Sequence, residues 1–385
     1  MRMNVLVVSS YPDDIRPHSS VFVYHLVQQL VAQDVTIEVI SPISWWKRRG
    51  SLRTIAGHYR YGREEATILR PKYLDFPNRI RIGVHTLGKL NTGTYARAVK
   101  GILRTLEHKP EIVYAHFLYR AGPGALMAAK CLGVPAVVAL GESNLAKHES
   151  IYTKRHMQRT ISQFAGIVSV SGVNKRYCVN ELGVPEDRIV VIPNAVNKDI
   201  YFPRDKVLMR EKHSLPRRGH IIAFTGHFIE RKGPLRVVSA LERLPDDVYG
   251  VFLGEGPQQP QGEKVLFAGS VPPHQVPELL SAADVFVLPT LNEGSSNAIA
   301  EAIACGVPVV SSNIEAVKEQ VDSQSGILVD PRSIDDIARG IEEVLYHSGP
   351  KRWSKRGTTE GGVLDLKQRA AAIKAFLAQH TSQPI

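Results

Sequence analysis

The chain has 385 residues, 43% of them apolar and 22% charged, which is too long for one ordinary domain, sufficient for two cores and too apolar for a disordered chain. Its 48 Lys and Arg against 37 Asp and Glu give a net charge of +11, and one half carries all of it: residues 1–200 hold 27 basic and 15 acidic side chains, residues 201–385 hold 21 and 22. Cys131, Cys178 and Cys305 lie far apart without CxxC spacing, which excludes a patterned zinc cluster or disulfide scaffold and fits a reducing cytoplasm, and no run approaches the roughly 20 apolar residues that span a bilayer.

Val5–Val8 follows Met1-Arg2-Met3-Asn4 like the start of a signal peptide, but Tyr11-Pro12-Asp13-Asp14 ends the run early. It reads as a first buried strand, Val5–Ser9. Thr36–Ser41, Ile112–Ala115, Ala136–Leu140, Ile167–Val170 and Ile189–Ile192 read as further strands. Each is short and apolar on both faces, as a covered parallel sheet requires. Helical patterns at Val21–Ala32, Thr94–His108, Gly122–Leu132 and Val173–Leu182 separate them. The second half repeats the alternation. Its strands are Ile221–Thr225, Tyr249–Leu253, Lys264–Ala268, Val285–Leu288 and Val307–Ser311; its helices are Pro234–Leu244, Gln275–Ala282, Asn297–Cys305 and Ile334–Tyr346. The fold class is therefore α/β, with two Rossmann-like doubly wound parallel sheets facing a cleft. The expected domains are 1–195 and 196–361, with a last amphipathic helix near 362–380 packing back on the first. Pro193-Asn194 marks the hinge, and the charged stretch Arg204–Arg218 reads as a surface segment.

Two segments carry chemistry. In the first, a strand ends at Leu288 and a polar turn leads into a helix that Ser296 or Asn297 can cap and Gly306-Val307-Pro308 stops. Free amides and the helix dipole make its N-terminus an anion site. Glu293 and Glu301 flank that end. In the ordinary alternative Glu301 pairs with a nearby lysine and Glu293 is solvated; the anion-binding helix end between them favours hydroxyl recognition beside a phosphate. In the second, the strand ending at Thr225 runs into Gly226-His227-Phe228-Ile229-Glu230-Arg231-Lys232-Gly233-Pro234. Arg231 and Lys232 would neutralise a diphosphate leaving group, although an ordinary solvated turn carries the same residues.

In this order and spacing the segments resemble glycosyltransferase family four, the retaining nucleotide-sugar glycosyltransferases of the two-Rossmann-domain GT-B fold. The carrying residues are Glu293-Gly294, then Glu301-Ala302-Ile303-Ala304-Cys305-Gly306-Val307-Pro308-Val309-Val310; Gly226 with Lys232-Gly233; Val191-Ile192-Pro193-Asn194; Leu253-Gly254-Glu255-Gly256-Pro257; and Ala283-Asp284-Val285. Ser10-Tyr11-Pro12, Arg16-Pro17, Val21-Phe22-Val23, Leu69–Tyr73 and Tyr114–Phe117 are similar to members that build bacterial surface polysaccharides, such as teichuronic acid and exopolysaccharide transferases. The resemblance implies that Lys232 binds the donor diphosphate, Glu293 the donor-sugar hydroxyls and Glu301 the ribose. Gly294, Ser295, Ser296 and Asn297 would meet sugar and phosphate through their backbone, Val271 would lie against the base, and Gly226, His227 and Arg231 would complete the donor site. His116 would line the cleft and share the catalytic role with Lys232 and Glu293, with Ser20 and Glu142 on the acceptor side. The reaction it implies is metal-independent hexosyl transfer, with no cofactor beyond the UDP- or GDP-linked sugar substrate.

The chain departs from the family pattern at four places. His227 stands where Arg is usual, Gly141 where many relatives have His, and Ser20 where Gly is common; Gly254–Lys264 is too short for the usual crossover helix. Residues 45–81 are strongly basic, with Trp45, Trp46, Lys47, Arg48 and Arg49 at their head. No nucleic-acid motif accompanies them. An anionic membrane surface fits cations beside tryptophans; so does an anionic glycan, or a solvated loop with the tryptophans packed on the domain. The expected function is hexose transfer to an undecaprenyl-diphosphate-linked or other surface glycan at the inner membrane face. A sugar-nucleotide epimerase of the same architecture and a non-catalytic binding subunit are the alternatives; the absence of GxGxxG after the first strand sets a nicotinamide dehydrogenase aside.

Overall fold

The computed structural model describes residues 2–13, 20–47, 55–56, 66–76, 81–82, 85–86, 88–143, 145, 153–347 and 363–381. The chain divides into two compact units, Met1–Pro193 with Leu366–Ile385, and Asn194–Asp365. Each is built on a parallel sheet, as the strand–helix alternation predicts.

The sheet of the first unit runs in the order Ile189–Val191, Gly166–Ser169, Ala136–Leu140, Ile112–His116, Met3–Val8, Val35–Ile40, Thr67–Arg70 and Ile55–Ala56. All neighbours are parallel except the last pair. Thr67–Arg70 and the short pair Ile43–Ser44 with Lys72–Tyr73 escape sequence reading because Arg and Lys interrupt their apolar pattern. Leu6, Val8, Val113, Ala115, Val138 and Leu140 point to one face and join the helices Gly88–Ile102 and Ala121–Leu132 in a core. The opposite face carries the helices Val21–Val31 and Leu366–Thr381, which pack on each other. Gly166 makes room for the latter: a Cβ there would stand 2.7 Å from His380 and 2.8 Å from Phe376.

The sheet of the second unit runs Val265–Gly269, Val248–Leu253, His220–Thr225, Val285–Leu288, Val309–Ser312 and Gly326–Val329, all parallel. Residues 254–264 form a bare connection, as their length requires. The edge strand beyond it is poorly covered, with Leu266 and Phe267 each 38% exposed. The stretch Arg204–Arg218 is not merely a surface segment. It holds the helix Lys206–Lys212, and Arg210 is 5% exposed. Its guanidinium donates to the Ala282 and Gly219 carbonyls at 3.0 Å and to Asp284. A charge-rich composition hid a buried, fully directed arginine.

In the first unit, the link from strand Ile112–His116 to helix Ala121–Leu132 is strained. Phe117 and Arg120 have φ of 77° and 59°, in the left-handed region. Glu142 holds this link: it is 7% exposed and its Oε1 accepts from the Leu118 N–H at 2.6 Å. Burial pushes its carboxyl up to about 7, against backbone N–H groups that lower it. An acid whose folded-state pKa is raised binds more protons folded than unfolded. Its contribution to stability therefore falls as pH rises from the ordinary carboxyl range through about 7. Glu142→Gln keeps the acceptor oxygen and removes the buried charge. It should raise stability at pH 8 by an amount on the order of 2 kcal/mol, shrinking toward zero at pH 4.5. Parallel denaturant titrations at the two pH values measure this; an equal effect at both would contradict it.

Candidate active site

The second sheet reverses its winding between His220–Thr225 and Val285–Leu288, and ligands of open α/β sheets bind outside the carboxyl ends at such a point. Both chemistry-bearing segments leave the sheet there. Gly226 turns the chain out of the first strand with φ 151°, which glycine adopts without strain. The turn ends at Gly233 and the helix Pro234–Leu241 follows, with proline in its first turn. Out of the second strand runs Pro289–Ser296, which delivers the helix Asn297–Ala304.

Glu293 lies between the two segments. Its side chain is 7% exposed, and that of Lys232 is 13%. The Lys232 ammonium donates to Glu293 Oε1. Thr290 Oγ1 donates to the same oxygen at 3.0 Å and Arg231 Nη1 at 3.3 Å. Arg231 also donates to the Asn292 carbonyl at 2.8 Å, and its own carbonyl accepts from Leu291 N at 2.8 Å. Arg231 thus reaches back to the loop, while His227 is exposed. A buried pair of opposite charges is stable only when its remaining valences are met, and three donors meet Oε1 here. The pairing that sequence alone offered as an ordinary alternative is reversed: Glu293, not Glu301, takes the lysine, and it is buried rather than solvated.

Glu301 is half-buried in the helix and accepts from the Tyr201 hydroxyl. Burial raises its carboxyl to about 7, and the Tyr201 bond opposes that rise. Ser296 occupies the cap position, but its hydroxyl makes no cap bond. The loop is held otherwise. Asn194 donates from its backbone N to Ser295 Oγ at 3.2 Å and from Nδ2 to the Ser295 carbonyl at 2.9 Å. Gln320 Oε1 accepts from Ser296 N at 2.7 Å, and its Nε2 donates to the Ser296 carbonyl at 3.0 Å. Gly294 is buried, and Val271 is half-buried against the core of this unit. Gly306 ends the helix with φ 75°. Among the described residues, no group of three or more His, Cys, Asp and Glu side chains is placed to hold a metal ion.

The acceptor-side candidates belong to the first unit. His116 closes the strand Ile112–His116 and is 1% exposed. Phe22 and Phe117 stand 5.2 and 4.9 Å from it, centroid to centroid. Burial, then the Arg369 charge, pull its pKa down to about 3, so it is neutral at physiological pH. Arg369, from the C-terminal helix, is 2% exposed and donates from Nε to the Pro193 carbonyl at 2.9 Å. A Cβ at Gly141 would stand 2.9 Å from Phe117 and 3.2 Å from His116 Nε2, so these two rings fill the place of any side chain there. Glu142 turns its carboxylate to the Leu118 N–H. Ser20 precedes the helix Val21–Val31 in the left-handed region, φ 57°, where glycine costs least. Trp45–Lys47 form one 3-10 turn. Trp45 is half-buried, Trp46 is 66% exposed, and their rings meet edge to face at 4.9 Å. Arg48 and Arg49 lie outside the described residues.

Asn194, Tyr201, Thr290 and Gln320 are the residues sequence reasoning gave no role. Asn194 and Thr290 lie within the segments that carry the resemblance or the chemistry; Tyr201 and Gln320 lie outside them.

Comparison with known proteins agrees with this geometry. The family model described as Glycosyltransferase Family 4 matches residues 19–200, and that described as Glycosyl transferases group 1 matches residues 205–359. TuaC of Bacillus subtilis, named as a teichuronic acid biosynthesis glycosyltransferase, is 25% identical over 356 residues, 88% of each chain. An Escherichia coli enzyme named UDP-Gal:alpha-D-GlcNAc-diphosphoundecaprenol alpha-1,3-galactosyltransferase is 27% identical over 266 residues, covering 62% of this chain and 67% of its own. Among solved structures, Anabaena HepE in complex with UDP-glucose superposes with a TM-score of 0.73 at 16% identity, covering 98% of this chain and all of that one. Sucrose-phosphate synthase of Thermosynechococcus elongatus gives 0.73 at 16% identity, over 98% and 97%. The two family models together match nearly all of residues 19–359, on a GT-B fold, and the protein belongs to the family 4 glycosyltransferases.

Proposed function

We propose that this glycosyltransferase moves a hexose, with retention of anomeric configuration, from a nucleoside diphosphate sugar to a lipid-linked bacterial surface glycan. The observation that carries the donor half of this reading is the division of labour on Glu293. All three described bonds to its carboxylate end on Oε1. Oε2 is the oxygen left to accept from sugar hydroxyls. The lysine that fixes the carboxylate is an ammonium with three donors, so it can hold Glu293 and a diphosphate together. When the bond between the anomeric carbon and the diphosphate oxygen breaks, charge develops on the leaving group. Lys232 and the amide end of helix Asn297–Ala304 stabilise it, the work that a divalent metal does elsewhere. Glu301 accepts from the ribose, and Val271 lies against a uracil or guanine base. Ser20, His116 and Glu142 serve the acceptor side. His116 acts there as a neutral, packed imidazole that shapes the wall.

The acceptor class rests on the relatives' names, which include a diphosphoundecaprenol galactosyltransferase, and on the basic sequence that follows an exposed Trp46. No helix among the described residues is long and apolar enough to cross a membrane. The proposal is therefore peripheral binding to an anionic cytoplasmic leaflet.

Lys232→Ala and Glu293→Ala should each lower kcat/KM for sugar transfer by about 100-fold or more, read well below a Tm that the loss of a buried partner also lowers. The assay is run in excess EDTA with UDP- and GDP-hexoses, and product NMR reads the anomer. Wild-type activity in both variants would overturn the donor assignment. Loss of wild-type activity in EDTA would overturn metal independence.

Glu301 gives a pH dependence. Its acid form prevails below about 7 in the folded protein, and only the carboxylate accepts two ribose hydroxyls. Affinity for the nucleoside diphosphate should rise between pH 6 and pH 8, and Glu301→Gln should flatten that rise. Calorimetric titration across the range decides it.

Replacing Lys47, Arg48 and Arg49 with alanine should weaken flotation with anionic vesicles, by about 1 kcal/mol per charge removed, and leave flotation with neutral vesicles unchanged. Equal flotation of both proteins with both vesicle types would remove the membrane from the reading.

A further inference from the structure

We propose that Gln320 and Asn194 are positioning residues for the phosphate-binding backbone of the donor loop, an inference that rests on the donor assignment above. Adjacent residues of the loop are each gripped at two points. Asn194 takes the Ser295 side chain and carbonyl, at 3.2 and 2.9 Å. Gln320 takes both the N–H and the carbonyl of Ser296, at 2.7 and 3.0 Å, so one carboxamide pairs with one residue's backbone as a strand neighbour would.

Both grips are rooted away from the loop. Gln320 follows the short helix Glu315–Lys318; its N–H donates to the Val317 carbonyl at 2.9 Å, and Val317 and Val321 on either side are 0% and 2% exposed. Asn194 lies 101 residues before Ser295 in the chain. A loop of Glu-Gly-Ser-Ser has little side chain of its own with which to fix its backbone, and Ser296 does not spend its hydroxyl on the helix. The position of the loop is therefore set from outside it.

The consequence concerns which amides meet the phosphate. The first intrahelical bond runs from Ala300 N to the Ser296 carbonyl. Ser296 N is committed to Gln320, so the amides of Asn297, Ala298 and Ile299 precede the helical ladder and are the ones aimed outward. Gln320 fixes the direction in which they point, because it holds both polar groups of the residue that starts the helix. Only a carboxamide can do this: it needs a donor and an acceptor on one rigid plane. Gln320→Glu keeps size and acceptor, but it sets a carboxylate oxygen against the Ser296 carbonyl and adds negative charge behind the diphosphate. Gln320→Ala removes both bonds without adding charge.

The test is calorimetry with UDP, GDP, dTDP and ADP, followed by the parent nucleoside of whichever diphosphate binds the wild type. Gln320→Glu, Gln320→Ala and Asn194→Asp should each weaken diphosphate binding about tenfold or more, with Gln320→Glu the weakest. Binding of the nucleoside, which has no phosphate to meet the amides, should stay within about twofold of wild type, a split that general damage to the fold would not produce. Lys232→Ala is the control for the donor assignment. Diphosphate binding that Lys232→Ala loses while all three loop variants keep it overturns this inference alone. A parallel loss of nucleoside and diphosphate binding in the loop variants also overturns it. A wild-type protein that binds none of the four diphosphates overturns the donor assignment and this inference with it.

Discussion

The second unit is organised around a buried ion pair. Lys232 and Glu293 come from turns about 60 residues apart and meet because two parallel strands bring their carboxyl ends together where the sheet reverses. Withdrawing both charges from water costs several kcal/mol per ion, and the attraction between them does not offset that cost unless further hydrogen bonds join in. Thr290 and Arg231 supply those bonds. Each is itself anchored to loop backbone, so the pair fixes the loop and the loop fixes the pair. A carboxylate in this setting has a definite orientation before any substrate arrives, which is the condition for electrostatic catalysis without reorganisation.

The first unit solves a different problem with the opposite device. Its buried groups beneath the end of strand Ile112–His116 are kept neutral or held singly. His116 is neutral by burial and by the Arg369 charge; the Glu142 carboxyl is raised to about 7. Arg369 donates to a backbone carbonyl, that of Pro193. These groups present shape and the charge of Arg369, whereas the loop Pro289–Ser296 presents the fixed charge of Glu293.

What the sequence made legible follows from distance along the chain. The alternation of strands and helices, the bare connection 254–264, the glycine that ends helix Asn297–Ala304 and the clustering of Glu293 with Lys232 all rest on local pattern or on strand order. Thr290 was in plain view but bland. Gln320 and Tyr201 act across 24 and 100 residues, and no spacing rule connects them with Ser296 and Glu301. Arg210 shows the converse: within Arg204–Arg218 every cation looked solvated, and the one that is buried could be told apart only by Asp284, which lies 74 residues on. Backbone strain was equally invisible. Nothing in the letters at Phe117 or Arg120 announces a positive φ, since the surrounding fold, not the residue, imposes it.

The two carboxylates of the motif are consequently not equivalent, although the pattern Glu-x7-Glu writes them as a pair. Glu293 is surrounded by cations and a hydroxyl, so its charge is supported by direct partners. Glu301 has a neutral partner, Tyr201, which itself packs on Val196, Ala300 and Ala304. Its charge is supported only weakly and depends on what else arrives. A ribose diol supplies two donors and would stabilise the carboxylate as it binds, so ligand binding and ionisation of Glu301 are thermodynamically linked: each favours the other by the same free energy. A site that must grip a sugar during bond cleavage benefits from a carboxylate charged in advance. A site that must hold and then release a nucleotide is better served by one whose charge is completed by the ligand.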